Sequence, residues 1–431
     1  MVLCENKGVK GGGGQKLQND VVRILDITYY MDCPPISGGT LRVLAPFMKM
    51  DDNSKISVDL IFSTYNEEYA RKCKGYLESI DVINFAEGVV TNHYLSDCGG
   101  MPEGFSSDVW KTISQELKDR ALQLVKSNKY DIIQIEHSQM SWIVPFLKLA
   151  SPSSYIVLDS HNIEYMIYER WVPYASIESV EDIRDKYESL YKWENEVWTW
   201  FDAAFTVSPI EEKLLNDHGL NETYLIPTGG GIDPNKYTPD DDLRDRPYDL
   251  LYMGTLSWFP NAQGMLWFIE YVFPIILKKY PRTILHIVGS GTPDGKLYEV
   301  ASGHPSIKFW GQQKDDVKFF HKSKVFIVPL WIGAGARVKI LTAWASKIPV
   351  VSTELGAEGN EAIDGENILL ANEPQKFADC VIKLLENEDF SKEIAENAHK
   401  LLCKKYSIQH CVDVLTDAYH KMAENARDLK T

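Results

Sequence analysis

Arg337 and Lys339 stand two residues apart, just after a loop that holds Gly333 and Gly335. They open a run in which Val338, Leu341, Ala345 and Ile348 recur at near-helical spacing. An apolar strand-like run, Val325 to Leu330, leads into the loop, and a Pro-led strand, Pro349 to Ser352, follows the helix. Strand, glycine loop, helix and strand in that order bring backbone N–H groups and the positive end of a helix dipole to one point, which suits an anionic phosphate. Arg337 and Lys339 on the first helical turn would add two cationic donors beside it. The same pattern also describes an ordinary βαβ unit with a tight turn and solvated cations, and geometry alone leaves the two readings level.

A second group with chemical potential is His161, Asn162 and Glu164 in LDSHNIE, at the end of an apolar strand. At the mouth of a parallel sheet these side chains suit polar contacts in a cleft; equally, His161 and Asn162 could cap the helix that follows. Other motifs carry less. Asp240, Asp241 and Asp242 form an acidic run inside a polar linker, where a solvated charge run is the simpler reading. GSGTPDG (289–295) lacks the third glycine of a dinucleotide fingerprint and reads as a βα turn beside a nucleotide base. Gly11 to Gly14 precede the first strand instead of following one, so they do not read as a phosphate loop. Trp193, Trp198, Trp200 and Phe201 read as core packing, with an acceptor or membrane surface as the second reading.

The elements that must position these residues alternate in type. Strand candidates are 21–28, 58–62, 81–85, 131–136, 155–160, 203–208 and 223–227, interleaved with helical stretches that include a long one over 177–200. A segment dense in Gly, Pro and Asp (228–249) interrupts the pattern, which resumes with strands at 250–254, 283–289, 306–311, 325–330 and 349–352. Helices are expected near 262–279, 374–387, 391–405 and 407–429. The expected fold class is therefore α/β, with two doubly wound parallel-sheet units facing a central cleft where ligands bind. The expected divisions are a flexible leader (1–20), an N-terminal domain (21–232), a C-terminal domain (233–405) and a last helix (406–431) returning to the N-terminal domain.

The chain has 431 residues, 44% hydrophobic and 25% charged, with a formal net charge of −16. That balance argues against a general nucleic-acid binder. Seven widely spaced cysteines without a C-x-x-C pair fit a reducing cytosol better than a disulfide framework or a zinc site. The sequence shows neither a signal-peptide core nor a run of the ~20 apolar residues that spans a bilayer, so a cytoplasmic location is expected.

The ordered motifs resemble glycosyltransferase family 4, the retaining, nucleotide-sugar-dependent group with the GT-B double-Rossmann fold. They run PPISGGTLR, LDSHNIE, TVSPIEEKLL, IPTGGGIDPNKY, GTLSWFPNAQGMLWFIEYVFP, HIVGSG, KFWG and then the segment from Val328 to Asn360, covering the chain from about residue 22 onward. The resemblance implies a sugar moved from a nucleoside diphosphate donor to a glycan, lipid-linked or other acceptor, in the manner of a hexosyltransferase of polysaccharide biosynthesis. It implies no metal and no cofactor beyond the donor, and peripheral contact with the inner membrane face is a further expectation. By this likeness Gly38 and Gly39 approach the donor diphosphate and acceptor, His137 faces the reacting sugar, and Gly333, Ala334 and Gly335 turn their N–H groups to sugar and phosphates. Arg337 and Lys339 match the cations of a G-x-R-x-K subgroup and would stabilise the departing diphosphate.

The sequence departs from the family at two carboxylates eight positions apart, matched here by Ala334 and Thr342. The second normally holds the ribose diol, for which Thr offers one short hydroxyl. GTLSWFPN (254–261) also lacks the Arg and Lys that many members carry. Of Glu354, Glu358 and Glu361, Glu358 is the candidate for the lost donor contact. Two alternatives stand beside transfer: a GT-B sugar-nucleotide 2-epimerase, and a non-catalytic homologue that binds sugar nucleotides.

Overall fold

The computed structural model describes residues 21–35, 38–92, 94, 100–227, 231–239, 248–291 and 295–428. The expected leader, Asp240 to Asp242, the centre of GSGTPDG and parts of the linker and of PPISGG lie outside these residues.

Two wholly parallel sheets form the frame. The first holds β1 (Val22–Thr28), β2 (Ile56–Thr64), β3 (Ile83–Val90), β4 (Ile132–Glu136), β5 (Tyr155–Asp159), β6 (Ala203–Thr206) and β7 (Thr223–Leu225) in the order β3-β2-β1-β4-β5-β6-β7. The second holds β8 (Tyr248–Met253), β9 (Leu285–Val288), β10 (Ile307–Gly311), β11 (Ser323–Val328), β12 (Val350–Ser352) and β13 (Leu369–Leu370) in the order β10-β9-β8-β11-β12-β13. Each order reverses beside its first strand, between β1 and β4 and between β8 and β11. Such switch points leave a crevice beyond the carboxyl ends of the strands.

Helices cover both faces of each sheet, so the strands read as nearly continuous apolar runs. Alternation along β1 sends Val22 and Ile24 into one core cluster and Leu25 and Ile27 into the other. The strands called for by the sequence all form; the differences lie at their ends, as where β3 extends to Val90. The helix expected over 262–279 runs from Phe259 to Lys279, with a π-type stretch at Phe268–Val272. The long aromatic helix spans Val180–Val197, and Trp198 is fully buried, which makes that aromatic set core packing.

The chain passes between the two units twice. Near Ile232 and again near Tyr406 to Ile408 the crossings pair with each other: Ile232 N–H donates to Tyr406 O and Ile408 N–H to Ile232 O. The last helix, Ile408–Asp428, lays Cys411, Leu415, Tyr419 and Met422 against the first sheet's core.

Candidate active site

The switch point of the first sheet carries charge where the core would otherwise be apolar. Asp26 on β1, Gln134 and Glu136 on β4, Asp159 on β5 and His161 just after it are all buried, with Arg42 from the helix Gly38–Phe47 among them. Arg42 pairs with Asp159. His161 Nε2 and Glu136 Oε2 lie 2.5 Å apart, Gln134 donates to Glu136 Oε1 at 2.6 Å, and Tyr419 of the last helix donates to Gln134 at 2.6 Å. Burial pushes Asp26 well above the carboxylate range, with Glu136 and Asp159 adding repulsion, and it raises Glu136 to about 7. Burial lowers His161 to about 3 and His137 well below its usual value. Both imidazoles are therefore neutral at pH 7.

His137 follows β4 directly and has φ 71° and ψ 142°, a backbone region that costs a non-glycine residue about 1–3 kcal/mol. Its ring lies 3.7 Å from that of His161 between centroids, tilted by 31°, and its buried Nδ1 has no hydrogen-bond partner. Glu164 Oε1 is 3.9 Å from that nitrogen, and burial raises the carboxyl to about 8. A strained residue at a strand end, with a neutral ring and an unsatisfied nitrogen, marks this point as a candidate functional site.

Glu136, Asp159 and His161 bring potential ligand atoms within 4.8 Å of one another. Those atoms are already bonded to each other and to Arg42, so the set does not fit a metal.

On the other sheet, the loop after β11 contains Gly333 (φ 146°) and Gly335 (φ 73°). Its helix spans Val338–Ala345, so Arg337 is the residue before the helix and not part of its first turn. The Arg337 guanidinium turns back on the loop, donating to Ala334 O, to Gly335 O at 3.1 Å and to Leu355 O at 3.3 Å. Arg170, from the first unit, donates to Gly333 O at 2.5 Å. Three successive carbonyls are thus held by two guanidinium groups. A trans peptide points each following N–H the opposite way, and the amides of Ala334, Gly335 and Ala336 make no hydrogen bond among the described residues. Arg337 Nε is also buried without a partner. Oriented donors without protein partners at a helix N-terminus suit an anion.

Lys339 enters the same region. Its Nζ donates to Asn261 Oδ1 at 3.0 Å and Tyr252 OH at 3.3 Å, and burial, with repulsion from Arg337, lowers it to about 7. The loop abuts the first unit: a Cβ on Gly335 would collide with Asn162 Oδ1 and crowd His161 O. The structure therefore brings His137, His161, Gly333, Ala334, Gly335, Arg337 and Lys339 to the two facing sides of one cleft. Gly39 belongs there too, packed against Tyr30 with His161 Nδ1 nearby, whereas Gly38 is exposed with open space around it. Thr342 spends its hydroxyl on Val338 O, one turn back in its own helix. Glu358 is engaged at both oxygens by Arg170. Beyond β9 and β10, a cavity of about 230 Å³ is lined by Leu256, Ile287, Gly289, Gly291, Tyr298 and Phe309.

Sequence reasoning missed Arg42, Arg170, Tyr252 and Asn261. The available signal was position: Tyr252 near the end of β8 and Asn261 in the first turn of the helix that follows, both opposite the glycine loop.

The architecture is the GT-B fold. The chain is similar to the solved structure of Anabaena HepE in complex with UDP, at 14% identity and a TM-score of 0.64, covering 92% of this chain and 99% of that one. Residues 247–387 match the family model described as Glycosyl transferases group 1. A Klebsiella pneumoniae protein described as an uncharacterized 44.6 kDa protein in the cps region is 28% identical over 391 residues, 87% of this chain and 94% of that relative. The lipopolysaccharide core biosynthesis glycosyltransferase LpsE of Rhizobium meliloti is 27% identical over 182 residues, 41% of this chain and 50% of its own length. Among the described residues, no helix is long and apolar enough to cross a membrane.

Proposed function

We propose that the protein is a retaining glycosyltransferase of the family 4 type, in the G-x-R-x-K subgroup. It moves a hexosyl group from a nucleoside diphosphate sugar to a glycan or lipid-linked acceptor in polysaccharide biosynthesis. The observation that carries this reading is the set of unsatisfied donors, three loop amides and Arg337 Nε, beside Lys339 and opposite His137. As the bond from the sugar to phosphate lengthens, negative charge grows on the diphosphate. Fixed N–H groups, a helix N-terminus and a lysine that takes up a proton stabilise that charge, and no metal is required for it.

The neutral imidazole of His137 then serves the sugar side, hydrogen-bonding a hydroxyl next to the electron-poor carbon. Retention follows from attack on the same face that the phosphate leaves, with the departing oxygen taking the acceptor's proton. The cavity lined by Tyr298, Phe309 and glycine backbone suits the flat nucleobase of the donor. HepE's complex with UDP supports a uridine donor as the first to test. A cytoplasmic site of action with peripheral membrane contact fits a lipid-linked acceptor. The family model and the glycosyltransferase-named relatives favour transfer over the 2-epimerase reading.

The deciding experiment is a screen of UDP-, GDP- and ADP-sugars with and without EDTA. Release of nucleoside diphosphate from one donor class, unaffected by EDTA, is the expected result. Interconversion of sugar nucleotides, or binding without turnover, would defeat the proposal.

A further inference from the structure

Arg170 closes the helix Glu164–Trp171 of the first unit, yet its guanidinium lies in the glycine loop of the second. Nη1 donates to Gly333 O at 2.5 Å and Glu358 Oε1 at 2.7 Å, and Nη2 donates to Glu358 Oε2 at 3.0 Å. The next residue, Trp171, stacks on Phe259 at 4.8 Å and 5° and meets Trp258 edge-on at 5.6 Å. Two neighbouring side chains thus span the cleft to three segments of the second unit, those after β8, β11 and β12.

The two Arg170 contacts do different work. The fork to Glu358 fixes the guanidinium in register, as a bidentate pair does. The bond to Gly333 O fixes a peptide plane, and so sets where the Ala334 N–H points. Arg337 holds the next two carbonyls from within its own unit. Only the first of the three planes depends on the other unit.

We propose that Arg170 is a positioning residue that completes the donor loop when the cleft closes, with Glu358 holding it in place. This rests on the donor-site reading above. The anion cradle is then fully formed only with the cleft shut, when bulk water is excluded from the reacting sugar. Glu358 in this state acts on Arg170 and not on the donor ribose.

The test compares Arg170→Ala and Glu358→Gln with the unaltered protein, using UDP as the binding probe and the donor found by the screen for turnover. Arg170→Ala is expected to lower kcat by about 100-fold, with a smaller change in UDP affinity, and to lower the NMR order parameters of the 334–336 amides. Glu358→Gln, which leaves the Gly333 contact in place, is expected to lower kcat by no more than about tenfold. Unchanged kcat in Arg170→Ala, or equal losses in the two variants, would overturn the proposal. If no donor turns over, the donor reading fails by itself. Amide order parameters in the UDP-free protein then decide: lower values over 334–336 in Arg170→Ala sustain the contact, and equal values reject it.

Discussion

The two faces of the cleft solve the same problem with opposite materials. On the first sheet, the chemistry is in side chains, and most of them satisfy one another: Tyr419, Gln134, Glu136 and His161 form a bonded chain, and Arg42 answers Asp159. On the second, the chemistry is in the backbone, and side chains serve mainly to aim it. Arg337 is a cation in sequence, but in the structure it spends three hydrogen bonds on carbonyls and offers only Nε. The difference shows that a cation beside a glycine loop can be committed to fixing the loop's peptides, leaving little of its own charge to present.

The largest effect that would break this contrast comes from Arg337→Ala. Releasing two loop carbonyls and the buried Nε should lower turnover by on the order of 10³-fold, read as kcat/KM for the donor. Arg337→Lys should not restore it, since one ammonium cannot span the same carbonyls. On the side-chain face, His137→Ala and His137→Gly should each lower kcat by about 100-fold. Thermal denaturation should find the glycine variant more stable than the alanine one by about 1 kcal/mol, because glycine accepts φ 71° without strain.

Lys339 sharpens the comparison through pH. Its ammonium is already charged below pH 7, and burial lowers it to about 7 when no donor is bound. A diphosphate binds the charged form, so above pH 7 binding must take up a proton. Donor affinity measured by calorimetry should be level below pH 7 and fall about tenfold per unit above it. Lys339→Met should flatten that profile. The smallest effect belongs to Thr342→Glu, which should tighten donor binding by a few-fold if the carboxylate reaches the ribose.

Much of this was legible in the chain. Apolar runs of strand length separated by helical stretches gave both sheets, because parallel strands buried on two faces leave little room for other patterns. The glycine loop and Lys339 stood out because a strand–glycine loop–helix order is a local pattern, and His137 through the family resemblance; the structure places all three at the cleft. Asp26 and Arg42 were not, because a buried carboxylate on β1 looks like any polar strand residue until its neighbours on β4 and β5 are in place. Arg170 had no local signal at all: its carboxylate partner is 188 residues further along the chain. The contacts of Arg337 were hidden for a different reason. Its partners are backbone oxygens, and backbone carries no sequence identity.

The paired crossings at Ile232 and Ser407 bear on how the cleft can move. Two strands of chain clipped together by two hydrogen bonds act as one pivot, so the units are expected to swing about a single short axis. Such a lever converts small rotations at the pivot into large travel at the rim. A severed or loosened clip, as from an Ile232→Pro change that removes one N–H, would leave the rim contacts chemically intact and yet misdirect their approach.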